Sequence, residues 1–149
     1  MTPRNSIRKK REKENDSAEL KRTQEIGKEG CKEGYGIQVW PNGSVYEGMW
    51  QKGKAYGYGR FVLPCGDVYE GDWMKDKAHG QGVYYYSDGT KYSGEWFADK
   101  QHGAGVEVWP DGSKFEGNFK HGLKYGYGVF VWEDNAQYEG EWMAGKMHG

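Results

Sequence analysis

Residues 69–82, YEGDWMKDKAHGQG, carry the side chains from which sites are built. Glu70 and Asp72 are carboxylates, Lys77 is an amine, His79 is an imidazole, and Gly80 and Gly82 form a Gly-x-Gly. Converging, such groups would bind a metal, move a proton or cradle a phosphate. Each of these chemistries has a geometric requirement, so the elements that position the residues decide among them.

Those elements repeat. Tyr46, Tyr69, Tyr92, Phe115 and Tyr138 stand 23 residues apart, and Trp50, Trp73, Trp96, Phe119 and Trp142 follow the same step. Of the 25 glycines, 24 fall in recurring columns, so glycine here answers a backbone requirement rather than a single cofactor loop. Four full repeats occupy residues 46–137, a degenerate copy precedes them at 23–45, and half a repeat follows at 138–149. Residues 1–22 form a separate tail, expected to be disordered or to hold a short helical turn.

Within a repeat the pattern has period two. In VYEGMWQ, Tyr46, Gly48 and Trp50 face one way and Glu47 and Met49 the other. GRFVL and GVYYY are further strand-like runs. PNGS, PCGD, SDGT and PDGS read as tight turns with positive φ at both central residues, and Asn135 in EDNA suits a left-handed position. The other link, such as KDKAHG, reads as a charged loop of about six residues. One hairpin per repeat, paired in series, predicts an all-β fold: an elongated, single antiparallel β-meander of about ten strands, near 50 Å long at roughly 4.8 Å per strand.

The repeat YEGDWMKDKAHGQGVYYYSDGTK resembles the MORN repeat, whose pattern is Tyr-Glu-Gly-x-Trp, Gly-Lys, His-Gly-x-Gly and Asp-Gly before the next Tyr. The likeness covers residues 34–149 well and 23–33 poorly. It implies a twisted antiparallel sheet used as a scaffold, often homodimeric, in cilia or at membrane–cytoskeleton junctions, with phosphoinositide binding proposed for the family. The spelling HGQGVYYYSDGTKYSGEWFADKQHG is similar to repeats of radial-spoke head proteins and of ciliate MORN proteins.

Against this frame the sharp chemistries lose their geometry. A phosphate-binding Gly-x-Gly needs a following helix, and none is predicted. His79, His102 and His148 share a column that Tyr56 and Tyr125 fill elsewhere. Their spacing of two strands, about 9–10 Å, is too wide for one zinc ion with ligands about 2 Å away. Glu47, Glu70, Glu116 and Glu139 form a row of solvated carboxylates, with Lys54, Lys77, Lys100 and Lys146 as its expected ion-pair partners. No catalytic residue, cofactor or metal is expected.

Composition agrees. The apolar share is 36% and the aromatic share 16%, so any core is thin and built of Tyr, Trp and Phe. Rings lying over bare glycine backbone on neighbouring strands would supply it, with Gly71, Gly80 and Gly82 making room. The expected partner-binding residues are the ladder Tyr46, Trp50, Tyr69, Trp73, Tyr92, Trp96, Phe115, Phe119, Tyr138 and Trp142, lining a concave, partly open face. A partner's helix or extended segment, or a second copy, would lie along it.

Net charge is −1, made of +4 on residues 1–22 and −5 on the rest. An acidic body excludes a nucleic-acid footprint. Arg8, Lys9, Lys10, Arg11 and Lys13 would give weak contact with anionic lipid. The alternative readings are therefore a membrane-associated, lipid-recruited adaptor and a regulatory array of a larger lipid-kinase-like protein. Cys31 and Cys65 read as two isolated thiols in a reducing compartment. There is no apolar run of about 18 residues to cross a membrane as a helix, and the charged start does not read as a secretory signal. The expected setting is intracellular: a cilium or cytoskeletal assembly first, membrane-proximal cytoplasm second. The strand Tyr138–Trp142 is expected to have an unpaired edge, covered by further chain or by another molecule.

Overall fold

A computed structural model describes residues 32–148. Residues 1–31 and 149 lie outside the described residues, and with them the basic cluster Arg8–Lys13, Cys31 and most of the degenerate first half-repeat. Eleven strands form one antiparallel sheet in sequence order. They are β1 (Gly34–Val39), β2 (Val45–Gln51), β3 (Lys54–Val62), β4 (Val68–Met74), β5 (Lys77–Tyr85), β6 (Lys91–Phe97), β7 (Lys100–Val108), β8 (Lys114–Lys120), β9 (Leu123–Val131), β10 (Gln137–Met143) and β11 (Lys146–His148).

The two turn types are exchanged relative to the sequence reading. The expected six-residue loop is a two-residue turn, and KDKAHG lies mostly in β5. Lys52 and Gly53 have φ of 51° and 79°, and Lys75 and Asp76 have 48° and 70°. Positive φ at both positions matches the right-handed twist of the flanking strands. The Asn-Gly and Asp-Gly turns are longer. Trp40 N–H bonds Ser44 O at 3.0 Å, Gly43 N–H bonds Trp40 O at 2.9 Å, and within this turn only Gly43 has positive φ, at 96°. Asn42 instead accepts the Ser44 N–H at 2.9 Å, and Asp88 accepts the Thr90 N–H at 2.8 Å. The short polar side chain is there as an acceptor, not for a left-handed backbone. Asn135, at φ 72°, takes the glycine position of this turn as expected.

Each nine-residue strand bulges against the seven-residue strand before it. Gly48 faces Gly59 and Trp50 faces Ala55, so Tyr56, Gly57 and Tyr58 together oppose Met49. The two glycines of Gly-x-Gly therefore do different jobs. Gly57 takes φ 92° in the bulge, and Gly80 takes 75°. Gly59 and Gly82 leave room for a ring: a methyl there would strike the rings of Tyr46 and Tyr69. The expectation that Gly80 also makes room for a ring is corrected, since a methyl on it would meet the Asp72 side chain.

Consecutive repeats are also pinned through their tight turns. Asp99 N–H bonds Ala78 O at 2.9 Å while Asp99 Oδ1 accepts the Ala78 N–H at 2.7 Å. Asp76 makes the same pair of bonds to Ala55. At the far end β11 pairs Met147 with Trp142 and Lys146 with Met143, so the expected bare edge of Tyr138–Trp142 is partly covered within the chain itself.

Candidate partner-binding surfaces

The ten ladder residues form one unbroken chain of rings. Its order is Trp50, Tyr46, Trp73, Tyr69, Trp96, Tyr92, Phe119, Phe115, Trp142, Tyr138. Neighbouring centroids are 4.9–5.5 Å apart and every pair is edge-to-face at 79–86°. Such pairs contribute about 0.5–1.5 kcal/mol each beyond their buried area.

Polar atoms anchor the rings. Trp73 donates its indole N–H to Gly59 O at 3.1 Å, and Trp50, Trp96 and Trp142 donate likewise to Gly36, Gly82 and Gly128. Tyr46 donates to Met49 O and Tyr69 to Asp72 O, each at 2.9 Å. Burial, with a smaller push from Asp72, drives the Tyr69 phenol well above its ordinary value.

Nine of the ten rings are buried and Tyr138 is partly so. An open groove made by the rings themselves is therefore not what the fold holds. Tyr46, Tyr69 and Tyr92 are each screened by the tryptophan or phenylalanine of their own repeat and of the next, so one layer of rings closes over itself. The ladder is the core.

Exposed apolar groups lie on the other face, which the sequence reading treated as solvated. Tyr35 and Tyr58 are each 60% exposed, and Tyr127 and Met49 are also open. Tyr35, Met49, Tyr58, Glu47, Arg60 and Glu70 line a hollow of about 400 Å³. A second hollow on this face, about 420 Å³, lies beside Tyr127, Glu116 and Ala104. The period-two pattern contained this face, since Tyr35, Tyr58 and Tyr127 share a column.

The carboxylate row is real but its partners differ from those expected. Arg60 Nε lies 3.2 Å from Glu70 on the neighbouring strand. Tyr127 donates to Glu139 at 2.7 Å, and Tyr35 donates to Glu47. The bond to a carboxylate raises both phenols above their usual range. Lys54 and Lys77 sit opposite Gln51 and Met74 at the tight-turn end, four residues along the strand from Glu47 and Glu70, or about 13 Å. That is too far for an ion pair.

The histidine column forms a strip of rings at that same end. His79 lies 5.2 Å from Phe97, Phe97 lies 5.9 Å from His102, and His102 lies 6.1 Å from His121. Among the described residues no group of three or more His, Cys, Asp or Glu side chains converges. No helix among them is long and apolar enough to cross a membrane. Cys65 is exposed in the turn after β3.

These features define a class: an open, single-layer repeat sheet with one hairpin per repeat and a core of interlocked rings. The family model of the MORN repeat matches residues 28–45, 46–68, 69–91, 92–114, 115–137 and 138–149. The chain belongs to the MORN-repeat family, and an array of this kind fits a scaffold or adaptor role. No curated protein matches the chain. Among solved structures it is similar to the TCP domain of Drosophila melanogaster SAS-4 (dCPAP), solved with a proline-rich motif of Ana2 (dSTIL). Identity is 18%, coverage 70% of this chain and 56% of that one, and the TM-score 0.48. It is also similar to the TCP10 domain of Danio rerio CPAP, solved with a peptide of STIL, at 14% identity, 79% and 53% coverage and TM-score 0.48. The chain thus spans just over half the length of both.

Proposed function

We propose that this protein is a non-enzymatic scaffold that holds a partner protein along its sheet, in a cilium or another cytoskeletal assembly. The observation that supports this reading is the exposed row on the face away from the core. Tyr35 and Tyr58 flank Met49 over a hollow of about 400 Å³, beside the Glu47 and Glu70 carboxylates. Rings with a polar tip and a methionine are the side chains enriched at interfaces, and carboxylates at the rim select partners more than they add affinity.

The test is co-purification from the native source with two baits, the wild-type chain and Tyr35→Ala/Tyr58→Ala. Both rings are exposed, so the variant keeps its fold. Axonemal or cytoskeletal proteins recovered with the wild type and lost with the variant would support the reading. Equal recovery by both baits, or recovery without such proteins, would sink it.

A further inference from the structure

The ring core is interrupted in the third full repeat, where three departures from the repeat pattern coincide. Gln101 stands where Ala55 and Ala78 stand, Glu107 where Phe61, Tyr84 and Phe130 stand, and Phe119 where the other repeats carry Trp. In those other repeats the ring pairs Phe61–Trp73, Tyr84–Trp96 and Phe130–Trp142 lie 6.0–6.1 Å apart. Between Glu107 and Phe119 no such pair can form. A hollow of about 360 Å³ opens there, with Trp109, Phe119, Gln101, Glu107, Lys124 and Thr90 in its lining.

Gln101 is 1% exposed, yet its Nε2 has no hydrogen-bond partner. An unmet buried donor costs about 1–3 kcal/mol, and a water or an acceptor from outside the chain would relieve it. Lys124 lies in the wall of the hollow, with its ammonium 5.2 Å from the ring centres of both Trp109 and Phe115. Thr90 adds a hydroxyl oxygen to the lining, while Trp109 and Phe119 supply flat apolar walls. Acceptor oxygen and N–H donor side by side, on a small planar group, is the complement of such a lining. The volume lies at the low end of the roughly 300–1,000 Å³ of small-molecule sites, enough for one side chain and its backbone but not for a folded element.

We propose that this hollow is a peptide-binding pocket that takes the carboxamide of an Asn or Gln from a partner segment, its oxygen on Gln101 Nε2. The proposal rests on the scaffold reading and names one group the partner brings.

Two variants test it, Gln101→Ala and Glu107→Phe. Each writes into the third repeat a residue that other repeats already hold, so both should fold, which circular dichroism and a thermal melt verify. The probe is a displayed library of linear peptides selected on the wild-type chain and titrated against both variants. The expected result is enrichment of Asn- or Gln-containing peptides. Their affinity should fall on the order of tenfold in either variant, about 1.4 kcal/mol, and equally when the peptide's carboxamide residue becomes Ala. Amide N–H₂ signals of Gln101 should move on titration. Peptides that bind the variants as tightly as the wild type, or that carry no carboxamide, overturn the pocket while leaving the scaffold reading intact. An empty selection overturns the pocket as well. The scaffold reading itself fails separately, in the native co-purification.

Discussion

Trp73 meets the Tyr46 ring of the preceding repeat edge-on, with centroids 5.4 Å apart and planes at 86°, and meets Tyr69 of its own repeat at 5.0 Å. It also donates to Gly59 O at 3.1 Å. One side chain thus ties two repeats together. Trp73→Ala is expected to cost about 3–5 kcal/mol, and Trp73→Ala with Trp96→Ala to abolish cooperative unfolding in urea. A double variant that stays folded, with a normal transition, would show that the ladder is not the core.

The two glycines of Gly-x-Gly should respond differently. Gly57→Ala places a methyl in ordinary van der Waals contact with Met49 Cβ, at 3.4 Å, but at φ 92°. Its cost is strain of about 1–2 kcal/mol, and Gly57→Asn should recover part of it. Gly59→Ala drives a methyl into the Tyr46 ring, costing about 1–3 kcal/mol or more, and Gly59→Asn should recover nothing. Equal recovery at both positions in urea melts would refute the division of labour.

Ala98 occupies the first position of a two-residue turn at φ 49°. A left-handed alanine is strained, so Ala98→Gly should raise stability by about 0.5 kcal/mol or more despite glycine's entropy. A lower urea midpoint for the variant would contradict this.

Alkali should unfold the array through its buried phenols. Tyr69 is raised chiefly by burial; Tyr84 is raised by burial first and then by its 2.7 Å bond to Asp67. Their folded values lie above the unfolded value of about 10, so the stability they contribute is complete below about pH 10 and lost as pH rises beyond it. The melting temperature should hold between about pH 8 and 10 and then fall, with tyrosinate absorbance of the buried rings appearing only as the chain unfolds. Buried tyrosinate in a still-folded chain would disprove it.

How much was legible varies from residue to residue. The ladder, the strand order and the left-handed Asn135 could all be read, because a period of 23 laid over a period of two leaves little freedom in an antiparallel meander. The turn types could not. Lys75-Asp76 carries no glycine signal, and its left-handed pair is imposed by the twist of the strands it joins. Gln101 falls within the link that reads as a loop, and only its place beside Glu107 in the lining of one hollow made it a candidate site.

By itself, then, the sequence determined the repeat, the all-β sheet and the identity of the rings that build it, since these follow from local alternation and self-similarity. Only the tertiary structure decided which face is closed. Whether Tyr46 is a contact surface or a core ring depends on how Trp73, one repeat away, packs across it. That packing comes from strand register and the bulge at Gly57, which bring together residues that composition and spacing describe only one at a time.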